Sequence, residues 1–90
     1  MSSVSKEVLI VNQRGLHARA SARFVTLAAQ QPADVSVEKD GASVCGTSIM
    51  GLMMLGAAMG DSIVISAKGA DAERAVVALV ELVEAKFGED

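Results

Sequence analysis

Ninety residues, 51% of them hydrophobic and together carrying a net charge of −3, predict one small domain with a single core. A mildly acidic chain with two phenylalanines and no tryptophan or tyrosine has neither the basic face nor the aromatic platform of a nucleic-acid binder. One cysteine excludes an internal disulfide, no apolar signal-peptide core follows Met1, and no run approaches the ~20 apolar residues of a membrane span. A soluble protein of the reducing cytoplasm, without stable membrane association, is expected.

Val8-Leu9-Ile10-Val11 is β-branched and bounded by Asn12-Gln13-Arg14-Gly15, which predicts a buried strand and then a loop. From Ala18 to Ala29 the apolar set Ala20, Phe24, Leu27 and Ala28 recurs at helical spacing, with Arg19, Arg23, Thr26 and Gln30 opposite. Pro32 stops that helix. Val35 and Val37 alternate with Ser36 and Glu38, as in a half-buried strand. Asp40-Gly41 is a hairpin signal, and Ala42 to Cys45 supplies the returning strand.

Ser48 to Leu55 reads as a short helix closed by Gly56, and Ser62 to Ser66 as another strand. Asp71 is the N-cap expected for a last helix, with a stripe of Ala72, Ala75, Val76, Leu79, Leu82, Val83 and Phe87 over four turns. No repeat or linker divides residues 1–90, which are read as one domain. The order β-α-β-β-α-β-α predicts an α+β two-layer sandwich, an antiparallel sheet with helices on one face. Pattern alone leaves the strand order open.

The only histidine, His17, stands where the loop hands over to the first helix, in Gly15-Leu16-His17-Ala18-Arg19. Backbone N–H groups and the positive end of the helix dipole favour an anion there. A surface histidine that happens to precede a helix is the ordinary alternative. Gly15 supplies a permissive backbone, and Arg19 and Arg23 set two guanidiniums on one helix face, which turns the reading toward a phosphate-bearing imidazole. Its neutral nitrogen is nucleophilic, and a phosphoramidate stays reactive. Arg19 is assigned as electrostatic partner, and the N–H groups of Ala18 and Arg19 as helix-terminal donors. Arg14 reads as a solvated loop arginine, and Arg23 as either a solvated charge or one that steers acidic partners.

These residues carry a resemblance. Gly15-Leu16-His17-Ala18-Arg19, followed by Phe24-Val25, resembles the active-site segment of the HPr family, phosphocarriers of the bacterial phosphoenolpyruvate-dependent phosphotransferase system. Thr47-Ser48-Ile49-Met50-Gly51-Leu52-Met53-Met54-Leu55 resembles that family's second helix with its regulatory serine. The two motifs stand at the family's separation, so the resemblance covers essentially the whole chain. There are two departures: Ala20 replaces a proline that would preorganise a helix start at its first position, and Thr47 replaces a basic residue.

The resemblance implies an open-faced four-stranded sheet with three helices, the third short. It implies phosphate on Nδ1 of His17, received from phosphorylated enzyme I and passed to an enzyme IIA domain, in the sugar or the nitrogen-related branch. Such a protein is a monomeric carrier, not a stand-alone catalyst, and needs no cofactor or metal. It also implies phosphorylation of Ser48 by an HPr kinase/phosphorylase.

Within the second motif, Ile49, Leu52 and Met53 share a face expected to be core, while Met50 and Met54 share a neighbouring face expected to stay exposed. The candidate partner surface comprises Ala20, Arg23, Phe24, Thr47, Ile49, Met50, Met53 and Met54. Ser48, with Thr47, also reads simply as a helix cap. A second functional reading is a binding module of the same fold whose partner is controlled by phosphorylation. An unrelated metal-binding domain ranks last, because one histidine and one cysteine give no ligand spacing.

Overall fold

The computed structural model describes residues 3–89. Its elements are β1 (Ser3–Leu9), α1 (Ala18–Ala29), β2 (Asp34–Lys39), β3 (Ala42–Cys45), α2 (Ile49–Met54), β4 (Ser62–Lys68) and α3 (Ala72–Glu84), followed by a 3-10 turn at Lys86–Gly88. The strands lie in the order β1-β4-β2-β3, and every neighbouring pair is antiparallel. This is the expected open-faced sandwich of four strands and three helices.

Side-chain alternation makes the sheet one-sided. Val8 stands opposite Ile63, Val37 opposite Ile65 and Val35 opposite Ala67, all buried. The same register brings Ser5, Ser66, Ser36 and Cys45 into one row on the other, open face. The helices close the apolar side with Phe24, Leu79, Val76 and Val83, and the whole forms one core. Phe24, Phe87, Ile63, Ile65 and Leu79 are each at most 1% exposed. Burial of such a side chain contributes on the order of 1.5–3 kcal/mol.

The hairpin between β2 and β3 turns through Asp40 (φ 51°) and Gly41 (φ 86°), the two left-handed positions of a type I′ turn. Elsewhere the structure corrects local expectations. β1 begins at Ser3, not Val8, because pairing with β4 extends from Leu9–Ser62 back to Ser3–Lys68. The polar residues of that stretch face solvent and hide the strand. Ile10 lies beyond β1 yet is fully buried, its N–H donating to Asp61 O and its carbonyl accepting from Gly60 N–H.

Asp71 precedes α3 in a left-handed conformation and makes no side-chain cap. The short helix is α2, with 6 residues, whereas α3, with 13, is the longest. Moreover, α3 ends at Glu84, and Phe87 returns to the core from the following turn with φ 56°. No helix among the described residues is long and apolar enough to cross a membrane.

Candidate functional site

The loop before α1 is held against the loop after α2. Gly15 has φ +63°, and a Cβ there would collide with Ala57 O and Ala58 Cα, so both conformation and space demand glycine. Leu16 N–H donates to Ala57 O at 3.0 Å, and Ser21 Oγ donates to Leu16 O at 3.1 Å. The chain therefore enters α1 at a fixed angle, with His17 as N-cap (φ −74°, ψ −178°). The imidazole takes the place usually filled by a serine or aspartate oxygen: Nδ1 accepts from Arg19 N–H at 3.2 Å.

The other ring nitrogen has a different partner. Nε2 lies 3.0 Å from Oε1 and 2.9 Å from Oε2 of Glu89, 72 residues away in sequence. A carboxylate only accepts, so Nε2 carries the proton and Nδ1 the lone pair. Both contacts agree on that tautomer. Asn12 holds the carboxylate in turn, its Nδ2 donating to Glu89 Oε1 at 3.0 Å and to Gly15 O at 2.9 Å. Turning the amide over would set oxygen against two acceptors, so its orientation is determined. Asn12 is fully buried, and its Oδ1 has no partner among the described residues.

The hydrogen bond from His17 holds the Glu89 carboxyl below the ordinary carboxylate range. Partial burial opposes this, while the Asn12 donor and the charge of Arg19 reinforce it. Adjoining the histidine, Gln13, Arg14, Arg19 and Glu89 line a hollow of about 200 Å³. Sequence reasoning names His17 and Arg19 as candidates, and the structure adds Glu89 and Asn12 as neighbours that it did not name. Nothing local marks Glu89, because it meets the ring only through folding that brings together residues 72 apart in sequence.

A family model described as "PTS HPr component phosphorylation site" matches residues 4–85. The chain belongs to the HPr phosphocarrier family. The phosphocarrier protein HPr of Neisseria meningitidis is 45% identical over 86 residues, covering 96% of this chain and 97% of that protein. The phosphocarrier protein NPr of Shewanella violacea is 37% identical over 89 residues, covering 99% and 98%. The crystal structure of HPr-C-His from Thermoanaerobacter tengcongensis superposes with a TM-score of 0.89 at 46% identity, covering 100% of this chain and 99% of that one.

Within this HPr fold, several expected surface residues prove internal. Ala20 and Phe24 are 0% exposed and belong to the core, so neither can present itself to a partner. Ala20, where the family's proline would stand, is the third residue of α1 rather than its first. A proline at that position would not stand at the start of the helix.

Conversely, only Leu52 of the expected α2 core face is buried, at 0%. Ile49 (42%) and Met53 (43%) join Met50 (71%) and Met54 (79%) in one exposed apolar patch. A single turn and a half packed at the rim has room below it for one large side chain. Ser48 is the N-cap of α2, its Oγ accepting from Gly51 N–H at 3.0 Å. Thr47 is exposed, and its hydroxyl lies 3.1 Å from Cys45 Sγ. Arg23 donates to Phe87 O.

Proposed function

We propose that this HPr-family protein is a cytoplasmic, monomeric phosphocarrier. His17 accepts a phosphoryl group from phosphorylated enzyme I and passes it to an enzyme IIA domain. The observation that carries this reading is the pair of contacts on the imidazole: Glu89 occupies Nε2, so the free electron pair lies on Nδ1 at the helix N-terminus. On attack, the Arg19 N–H that now meets Nδ1 turns to a phosphate oxygen, with Ala18 N–H beside it. Arg19 supplies a guanidinium at the rim of the adjoining hollow.

Positioning and charge account for most of the barrier lowering in phosphoryl transfer, and a carrier shares that work with each partner. It is consumed and regenerated as an intermediate, not a stand-alone catalyst, and needs no cofactor or metal. The exposed patch of Ile49, Met50, Met53 and Met54 suits docking to several partners, because methionine adapts its shape. Ser48 at its edge is the site for an HPr kinase/phosphorylase. A phosphate there adds about two negative charges to the docking surface. Relatives named HPr and NPr leave both the sugar and nitrogen-related branches open to it.

The test is intact mass after incubation with enzyme I, phosphoenolpyruvate and magnesium, for wild type and His17→Ala. One acid-labile phosphate on wild type alone supports the relay. No phosphate on folded wild type, with enzyme I itself phosphorylated, overturns it. The same patch supports a second reading, a binding module controlled by phosphorylation. That reading requires complexes that persist in His17→Ala.

A further inference from the structure

We propose that the methionines of α2 form a reversible oxidation site, at which a peroxide converts thioethers to sulfoxides and so releases the proteins that dock there. The consequence rests on the docking patch of the relay reading, whereas the chemistry needs only the exposure of the side chains.

Three of the six residues of α2 are methionine, and all three are exposed: Met54 most, then Met50, then Met53. Met54 stands four residues from Met50, and Met53 three, so the thioethers lie along one side of the helix. None of residues 41–60 is charged. Contact at this patch therefore comes from apolar surface, and a sulfoxide oxygen removes that property from the side chain that carries it. Leu52, which ties α2 to the core, has no sulfur and is fully buried. Oxidant thus reaches the docking face without entering the core.

The step balances with the oxidant alone. A thioether lone pair attacks one oxygen of hydrogen peroxide, the S–O bond forms, and the O–O bond breaks. The departing hydroxide takes the proton left on the transferred oxygen and leaves as water. Sulfur has lost two electrons, and the peroxide has gained them. Two thiols of a methionine sulfoxide reductase reverse the change, becoming a disulfide as the oxygen departs in water. A thioether has no proton to lose, so access rather than pH ranks the sites. Cys45 is exposed as well, and its hydrogen bond with Thr47 holds the thiol below its usual pKa, so the same peroxide attacks it.

The experiment therefore uses the full chain with Cys45→Ser, alone and combined with Met50→Leu, Met53→Leu and Met54→Leu. Each protein is its own reference, treated with hydrogen peroxide against untreated. Peptide mass should show one added oxygen at Met54 and Met50 before Met53, and thermal unfolding should show that the treated domain still folds. Treated Cys45→Ser should bind enzyme I or an enzyme IIA domain roughly ten- to a hundredfold more weakly, the effect of a polar group left unpaired at an apolar contact. The reductase should restore binding. With the three leucines, treatment should leave binding where it stood before.

Equal affinity before and after treatment of Cys45→Ser, an equal loss in the leucine variant, or unfolding by the treatment overturns the inference. Untreated wild type and Cys45→Ser that bind neither partner would instead refute the docking reading. The mass measurement needs no partner and decides the chemistry in either case.

Discussion

Arg23, in the middle of α1, donates its guanidinium to the carbonyl of Phe87, 64 residues later, and so fastens the end of the chain across the first helix. A Cβ on Gly88 would strike the same guanidinium, so the backbone passes closely over it. The arginine that sequence alone offers as a surface charge for partners is therefore a structural tie beside the site.

Arg23→Ala should accordingly lower stability by about 1–2 kcal/mol, the worth of a hydrogen bond to a charged group at a partly exposed position. For a domain of this size that corresponds to a fall in Tm of roughly 4–8 °C per kcal/mol. It should also loosen Glu89, seen as weaker amide exchange protection from Phe87 onward. An unchanged Tm and unchanged protection would refute the tie.

The two sides of α2 should respond in opposite ways. Leu52→Ala, at a fully buried position, should cost about 2–5 kcal/mol in denaturant unfolding. Met54→Lys, at 79% exposure, should change stability by less than about 0.5 kcal/mol. The same substitution should weaken titration binding to enzyme I or an enzyme IIA domain several-fold. Equal stability losses at both sites would contradict the burial of Leu52 and the exposure of Met54.

Ser48 has a capping role and a proposed regulatory one, and substitution can separate them. Ser48→Ala should lose about 1 kcal/mol with the cap to Gly51 N–H. Ser48→Asp retains a good N-cap, so it should stay near wild-type stability while adding charge at the methionine patch. Partner binding weakened by Asp but not by Ala would favour the regulatory role. Identical binding by all three proteins would leave only the cap.

Glu89 makes docking of the C-terminal segment pH-dependent in a definite direction. Its folded-state pKa is depressed, chiefly by the hydrogen bond from His17, with burial opposing. A depressed carboxylate stabilises the fold above its unfolded pKa, and that contribution is lost as pH falls through the folded value. Protonation of the imidazole does not break the pair, because Nε2 still donates. Docking should therefore persist through mildly acidic pH and fail only below the ordinary carboxylate range. The side-chain ¹³C shift of Glu89 should titrate at higher pH in His17→Ala than in wild type. Coincident midpoints would show that His17 does not perturb it.

Much of the fold is legible along the chain because some features are set by neighbours in sequence. The bounds of α1, the Asp40-Gly41 turn, β3 and the left-handed Gly56 after α2 depend on periodicity, caps and backbone freedom within a few residues. The histidine motif is equally local: an imidazole at an N-cap meets the N–H two residues on, whatever the rest of the chain does.

Other features required the packed molecule. The first residues of β1 become strand only through β4, which has bonding groups to offer them. Of the apolar residues on α2, Leu52 alone is buried, a choice made by the space beneath the helix and invisible to periodicity. Sequence by itself singled out His17, the one histidine, at the entry to the first helix as the candidate phosphoryl acceptor. Which nitrogen of the free protein keeps its lone pair was decided by tertiary structure, because Glu89 reaches Nε2 only once a stretch that separates them by 72 positions has folded.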